Sequence, residues 1–119
     1  MRNFREYEIW QKAILFAKLI YQITEKFPST EKYGLCSQMQ RASVSIASNI
    51  SERASRNSEI DFARFLEISL GSAFELETQL IIATELKYIG EDQSKKALSE
   101  INVLQRQIGQ FITVIRKGH

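Results

Sequence analysis

One histidine, one cysteine and one proline in 119 residues leave few of the side chains from which catalytic and metal sites are built. The histidine is His119, the last residue. No Glu-x-x-His pair of the kind that holds two metals in helical bundles can therefore form. The same scarcity removes Ser-His and Cys-His nucleophile pairs. A lone Cys36 excludes an intramolecular disulfide and a thiolate metal cluster; it reads as a small residue packed near a helix start. The glycines, Gly34, Gly71, Gly90, Gly109 and Gly118, are scattered and build no phosphate-cradling loop. No uncharged apolar run approaches the ~20 residues of a membrane span. The opening residues, Met1 to Glu6, lack the apolar stretch of a secretory signal. The expectation is a cytoplasmic protein with no membrane partner, no cofactor and no enzymatic activity.

What the chain does have is a repeat. Apolar residues recur at alternating steps of four and three in four segments. Ile9, Ala13, Phe16, Ile20, Ile23 and Phe27 form the first, and Leu35, Met39, Ala42, Ile46 and Ile50 the second. Phe62, Leu66, Ser69, Ala73, Leu76, Leu80 and Ala83 form the third, and Ala97, Ile101, Leu104, Ile108, Phe111 and Ile115 the fourth. A mean step of 3.5 keeps each set on one stripe of a helix, so four helices can share one seam. With 44% hydrophobic residues the chain is one domain around one core. Pro28 ends a first helix over about 4–27, because it lacks an amide donor and restrains the residue before it. A second helix covers about 35–54. A third runs over 58–89, with Asn57 or Ser58 as N-cap and Gly90 as a left-handed C-cap. A fourth covers 92–117, ending in cations at its negative pole. Short connections make neighbours antiparallel. The fold class is all-α, an up-down-up-down four-helix bundle.

Two helices carry more apolar surface than one seam needs. On helix 3, Phe65 and Leu76 flank the stripe on one side, and Ala63, Leu70, Phe74 and Ile81 on the other. Helix 1 has a second row of Trp10, Ile14, Ala17 and Tyr21. Such doubling points to a homo-oligomer in which a neighbouring subunit covers the surplus. Gly71, inside helix 3, costs about 1 kcal/mol relative to alanine and suggests close helix approach. On helix 2, Gln38, Arg41, Ser45, Ser48 and Glu52 form a polar stripe bordered by Asn49, which is either a subunit interface or a solvated face. Glu77 points into the apolar arc of helix 3. It is either a structural partner of a basic or amide side chain, Arg41 first, or a catalytic acid.

Sixteen basic residues against fourteen acidic leave a net charge of +2, too little to mark a nucleic-acid binder alone. The basic residues do cluster, however. Arg53, Arg56 and Arg64 surround the second connection. Arg2, Arg5, Lys12, Arg116 and Lys117 could gather where the termini meet. These are either phosphate contacts, which position without reading sequence, or an ordinary solvated surface.

Taken together, the residues resemble the bacterial four-helix bundle proteins known as S23 or 23S ribosomal RNA intervening-sequence proteins. The resemblance covers about Tyr7 to Ile115. It is densest at Phe27-Pro28, Glu31, Tyr33-Gly34-Leu35, Ser37-Gln38, Arg41-Ala42, Val44-Ser45-Ile46, Ser48-Asn49-Ile50 and Glu52. It continues in Phe62, Arg64-Phe65-Leu66, Gly71-Ser72 and Glu75 to Leu80. The resemblance implies an antiparallel protomer that assembles into a homopentameric ring. It also implies similarity to the accessory variability determinant proteins of diversity-generating retroelements, basic pentamers that bind nucleic acid and a reverse transcriptase. The chain departs from the family pattern at Ala47, where proline is common and kinks helix 2, and at Arg53, where glycine is common. Two partners are therefore expected besides further copies of the chain: RNA or DNA held without sequence specificity, or another protein held by an assembly scaffold.

Overall fold

The computed structural model describes residues 3–52 and 58–118. Its α-helices are α1 (Glu8–Thr24), α2 (Leu35–Ser51), α3 (Glu59–Glu85) and α4 (Glu91–Lys117), with 3-10 turns at Phe4–Glu6 and Ser29–Glu31. They run up-down-up-down in an elongated body of 46 × 23 × 20 Å. The pairs α1–α2, α2–α3 and α3–α4 are closely packed, and α1–α4 much less so. The bundle is therefore a loop of four helices with one slack edge. No described helix is long and apolar enough to cross a membrane.

The four-three stripes make the core. Nearly every member is buried, from Ile9 and Phe16 on α1 to Ile108 and Ile115 on α4. Leu35 and Phe111 are the exceptions, half-buried against it. Ala63, expected on a flank of α3, is fully buried as well, so the protomer itself absorbs part of the surplus. Small residues explain how closely α2 and α3 approach. Ser69 is buried and donates to the Ile46 carbonyl at 2.8 Å, and Ser45 and Ser72 share a 2.8 Å hydrogen bond. Of the α2 serines, poor helix formers, Ser45 gains a tertiary hydrogen bond in this way, whereas Ser43 and Ser51 bond carbonyls of their own helix. Ala47 lies buried within α2, which runs without interruption from Leu35 to Ser51.

Three boundaries differ from expectation. Residues 4–7 are not part of α1: Asn3 Oδ1 accepts from the Arg5 amide at 3.0 Å, and Tyr7 is extended. That break turns the Tyr7 ring onto Phe62 and Phe111, at centroid distances of 6.1 and 5.3 Å. At its other end α1 stops at Thr24, where the chain tightens to i−3 hydrogen bonds, as from the Phe27 amide to Thr24 O (3.1 Å). The third concerns α3, which ends at Glu85 and not near Ile89. Gly90 is not its left-handed cap: it is extended and precedes α4. The left-handed residue is Lys87, with φ 65°. The Tyr88 amide donates to Ala83 O and the Lys87 amide to Thr84 O, both at 2.9 Å, the paired bonds of a Schellman cap. Lysine pays a steric cost in this conformation that glycine does not. Lys87→Gly should raise stability by roughly 0.5–1 kcal/mol in urea unfolding; a loss would show that the Lys87 side chain contributes something the cap does not need.

Candidate functional site

Antiparallel packing puts the start of α3 beside the end of α4. There Ile60, Ala63, Ile115 and Arg116 line a cleft of about 180 Å³. Arg116 pairs with Glu67 across it at 2.7 Å, both side chains about half exposed. Arg64 and Lys117 are exposed at the same end. The fold thus brings together Arg64, Arg116 and Lys117, which are remote in sequence. Arg53 and Arg56, and with them the expected end of helix 2, lie outside the described residues. Arg5 stands at this end too, with its guanidinium 4.7 Å from the Phe4 ring centroid. Lys12 lies further along α1, bonded to Glu8 (3.0 Å) and to Gln107 on α4 (3.2 Å). The charge here is mixed, since Glu59 and Asp61 occupy the first turn of α3, where the helix dipole favours them. Ser58 caps that turn as expected, accepting from the Asp61 amide at 3.1 Å.

The residues expected at a subunit interface fall on three different sides of the bundle. Trp10 is half-buried and packs edge-to-face on Phe4 at 5.3 Å. Gln38, Arg41 and Ser45 line an open polar groove of about 470 Å³ with Ser72 and Glu75, between α2 and α3. Asn49 turns back onto Ser45, donating to its carbonyl at 2.8 Å, and Glu52 caps the end of α2. Phe74 projects from α3 and is 52% exposed. Glu77 does not pair with Arg41. Its Oε1 accepts from Gln105 Nε2 at 2.9 Å, so the partner is an amide from α4. Arg41 is on the α2 side of α3 and Glu77 on the α4 side, which keeps the two apart.

Sequence reasoning missed a polar link between distant segments at the opposite end. Glu31 Oε1 accepts from the Leu35 amide at 3.3 Å, capping α2, and its Oε2 accepts from Tyr88 OH at 3.0 Å. Tyr88 also packs on Phe27 at 5.3 Å. The hydrogen bond to Glu31 holds the Tyr88 phenol in its neutral form and raises its pKa. Burial, then the nearby Glu31 charge, raises that of Cys36, a thiol suited to packing and not to nucleophilic attack. The available signal was an acid four residues before the first residue of helix 2. The Tyr88 partner has no local signal at all.

Among known proteins, the family model described as 23S rRNA-intervening sequence protein matches residues 5–110. The fold is similar to a 1.70 Å crystal structure of a protein with unknown function from the S23 ribosomal protein family of Bacteroides thetaiotaomicron. That likeness has a TM-score of 0.81 at 24% identity, covering 88% of this chain and 95% of the other. No curated protein matches.

Proposed function

We propose, from the premise that this chain belongs to the 23S rRNA-intervening sequence protein family, that it is a non-enzymatic homo-oligomer, a pentameric ring, that binds RNA or DNA without reading sequence. The observation that carries this is the gathering of Arg64, Arg116 and Lys117 at one end of the bundle. In a ring of parallel protomers that end recurs on one rim. A net +2 per chain becomes about +10 over five copies, and weak phosphate contacts add through repetition. Arg53 and Arg56 stand in sequence shortly before α3.

Such binding releases counterions and depends steeply on salt. One or two phosphate contacts per subunit predict a slope of roughly −4 to −7 in log K against log salt for a single-stranded ribosomal RNA fragment. Arg116→Ala with Lys117→Ala should flatten it, and a scrambled RNA should bind as well as the natural one. Salt-independent binding, or none at low ionic strength, would remove the proposal. One feature favours a protein ligand instead: Phe74 and Ile81 stay 52% and 46% exposed on the α4 side of α3. A complex surviving nuclease treatment would support that scaffold reading over the first.

A further inference from the structure

We infer that the outer stripe of α3 in one copy packs into the groove between α1 and α4 of the next, with Glu75 meeting Lys12. This assigns the surfaces of the homo-oligomer proposed above and rests on that reading.

Opposite its core stripe, α3 carries a second one. Ile68, Gly71, Glu75, Thr78 and Ile82 repeat at three, four, three, four, which aligns them along the outer face. Ile68 and Ile82 are 48% and 45% exposed, so the protomer does not use this seam. Gly71 sits in its middle. A Cβ built there would meet nothing within 4 Å, so no contact inside the protomer requires the glycine. A backbone from outside would.

The receiving surface is the slack edge of the bundle. Lys12, Leu15, Phe16, Glu100, Val103 and Leu104 line a groove of about 320 Å³ between α1 and α4. Leu15 on its lip is 66% exposed. Ridge and groove lie on different helices and far sides of the molecule. Contacts between them are head-to-tail, and head-to-tail contacts close into rings where a two-fold contact would stop at a dimer.

Charge fixes the register. Gln107 bonds Lys12, and Gln105 bonds Glu77. Two residues further along α4 correspond to two residues back along antiparallel α3, so Lys12 and Glu75 stand at the same height. Rotation about an axis parallel to the bundle preserves height. Glu75, exposed and without a hydrogen-bond or ion-pair partner among the described residues, then arrives opposite Lys12 of the neighbour. Among the described residues Lys12 is the groove's only cation, and Glu100 stands about two turns away along the bundle.

The test is charge reversal read by light scattering and sedimentation, with circular dichroism confirming folding. Wild type is expected to assemble. Lys12→Glu and Glu75→Lys, each alone, are expected to weaken assembly about tenfold, and the double variant to restore it. Wild-type assembly that neither reversal weakens, or that the double variant fails to rescue, overturns this contact and leaves the homo-oligomer reading standing. A wild-type monomer overturns both.

Discussion

Phe62→Ala should cost about 3–5 kcal/mol of protomer stability, a large share of the total of a domain this size. Phe62 is fully buried at the foot of the bundle, where Tyr7 stacks on it and Phe111 meets it edge-on at 5.5 Å. Truncation removes the ring from water-excluded packing and leaves a cavity bounded by two other rings, which cannot collapse freely without moving α4 and the 4–7 segment. Chemical denaturation should show the loss, and the melting temperature should fall by roughly 10–20 °C. Leu15→Ala, on the exposed lip of the α1–α4 groove, should change protomer stability by less than about 0.5 kcal/mol. Equal effects at the two positions would mean that the burial pattern described above is wrong. Because Phe62 lies in the first turns of α3, its loss should also loosen the end that presents Arg64 and Arg116, and the RNA binding proposed for that end should weaken without the removal of a charge.

Glu31→Ala should be the most damaging change among the polar residues, at about 2 kcal/mol. One carboxylate closes α2 through the Leu35 amide and ties the α3–α4 turn through Tyr88. Charge-assisted bonds of this kind exceed neutral ones, so Glu31→Gln should recover only part of the loss. The Tyr88 bond has a pH signature. Its pKa lies above the ordinary phenol value because the neutral form donates to Glu31. A raised folded-state value means that the contribution is whole below pH ~10 and is lost as pH climbs through the raised pKa. Melting curves of wild type and Tyr88→Phe should therefore differ below pH ~10 and converge above it. A difference that stays constant to high pH would show that Tyr88 stabilises through its ring against Phe27 alone.

The two substitutions also show where sequence reasoning reaches and where it stops. Phe62 was legible, because the four-three spacing places it on a stripe and a stripe must be buried. Glu31 was legible only as a member of a family-like stretch, since its second partner lies 57 residues away. The cap of α3 was misplaced for a related reason. Glycine was the cheaper left-handed residue and stood nearby at Gly90, yet the paired bonds formed around Lys87, where the last core contact of α3 fell. Tertiary packing outweighed a local preference worth about 1 kcal/mol. Glu77 is the same lesson in the candidate interface. Its need for a partner was readable from its angular position, but Gln105 rather than Arg41 became that partner because the residue faces α4.

Periodicity alone determined the helices, their order and almost the whole core, since a 3.5-residue step admits one burial solution for each segment. Which polar groups meet, which helix edge stays slack and which basic residues share an end were decided only when the helices packed. Those relations depend on the rotation and height of each helix against its neighbours, and no single helix encodes them.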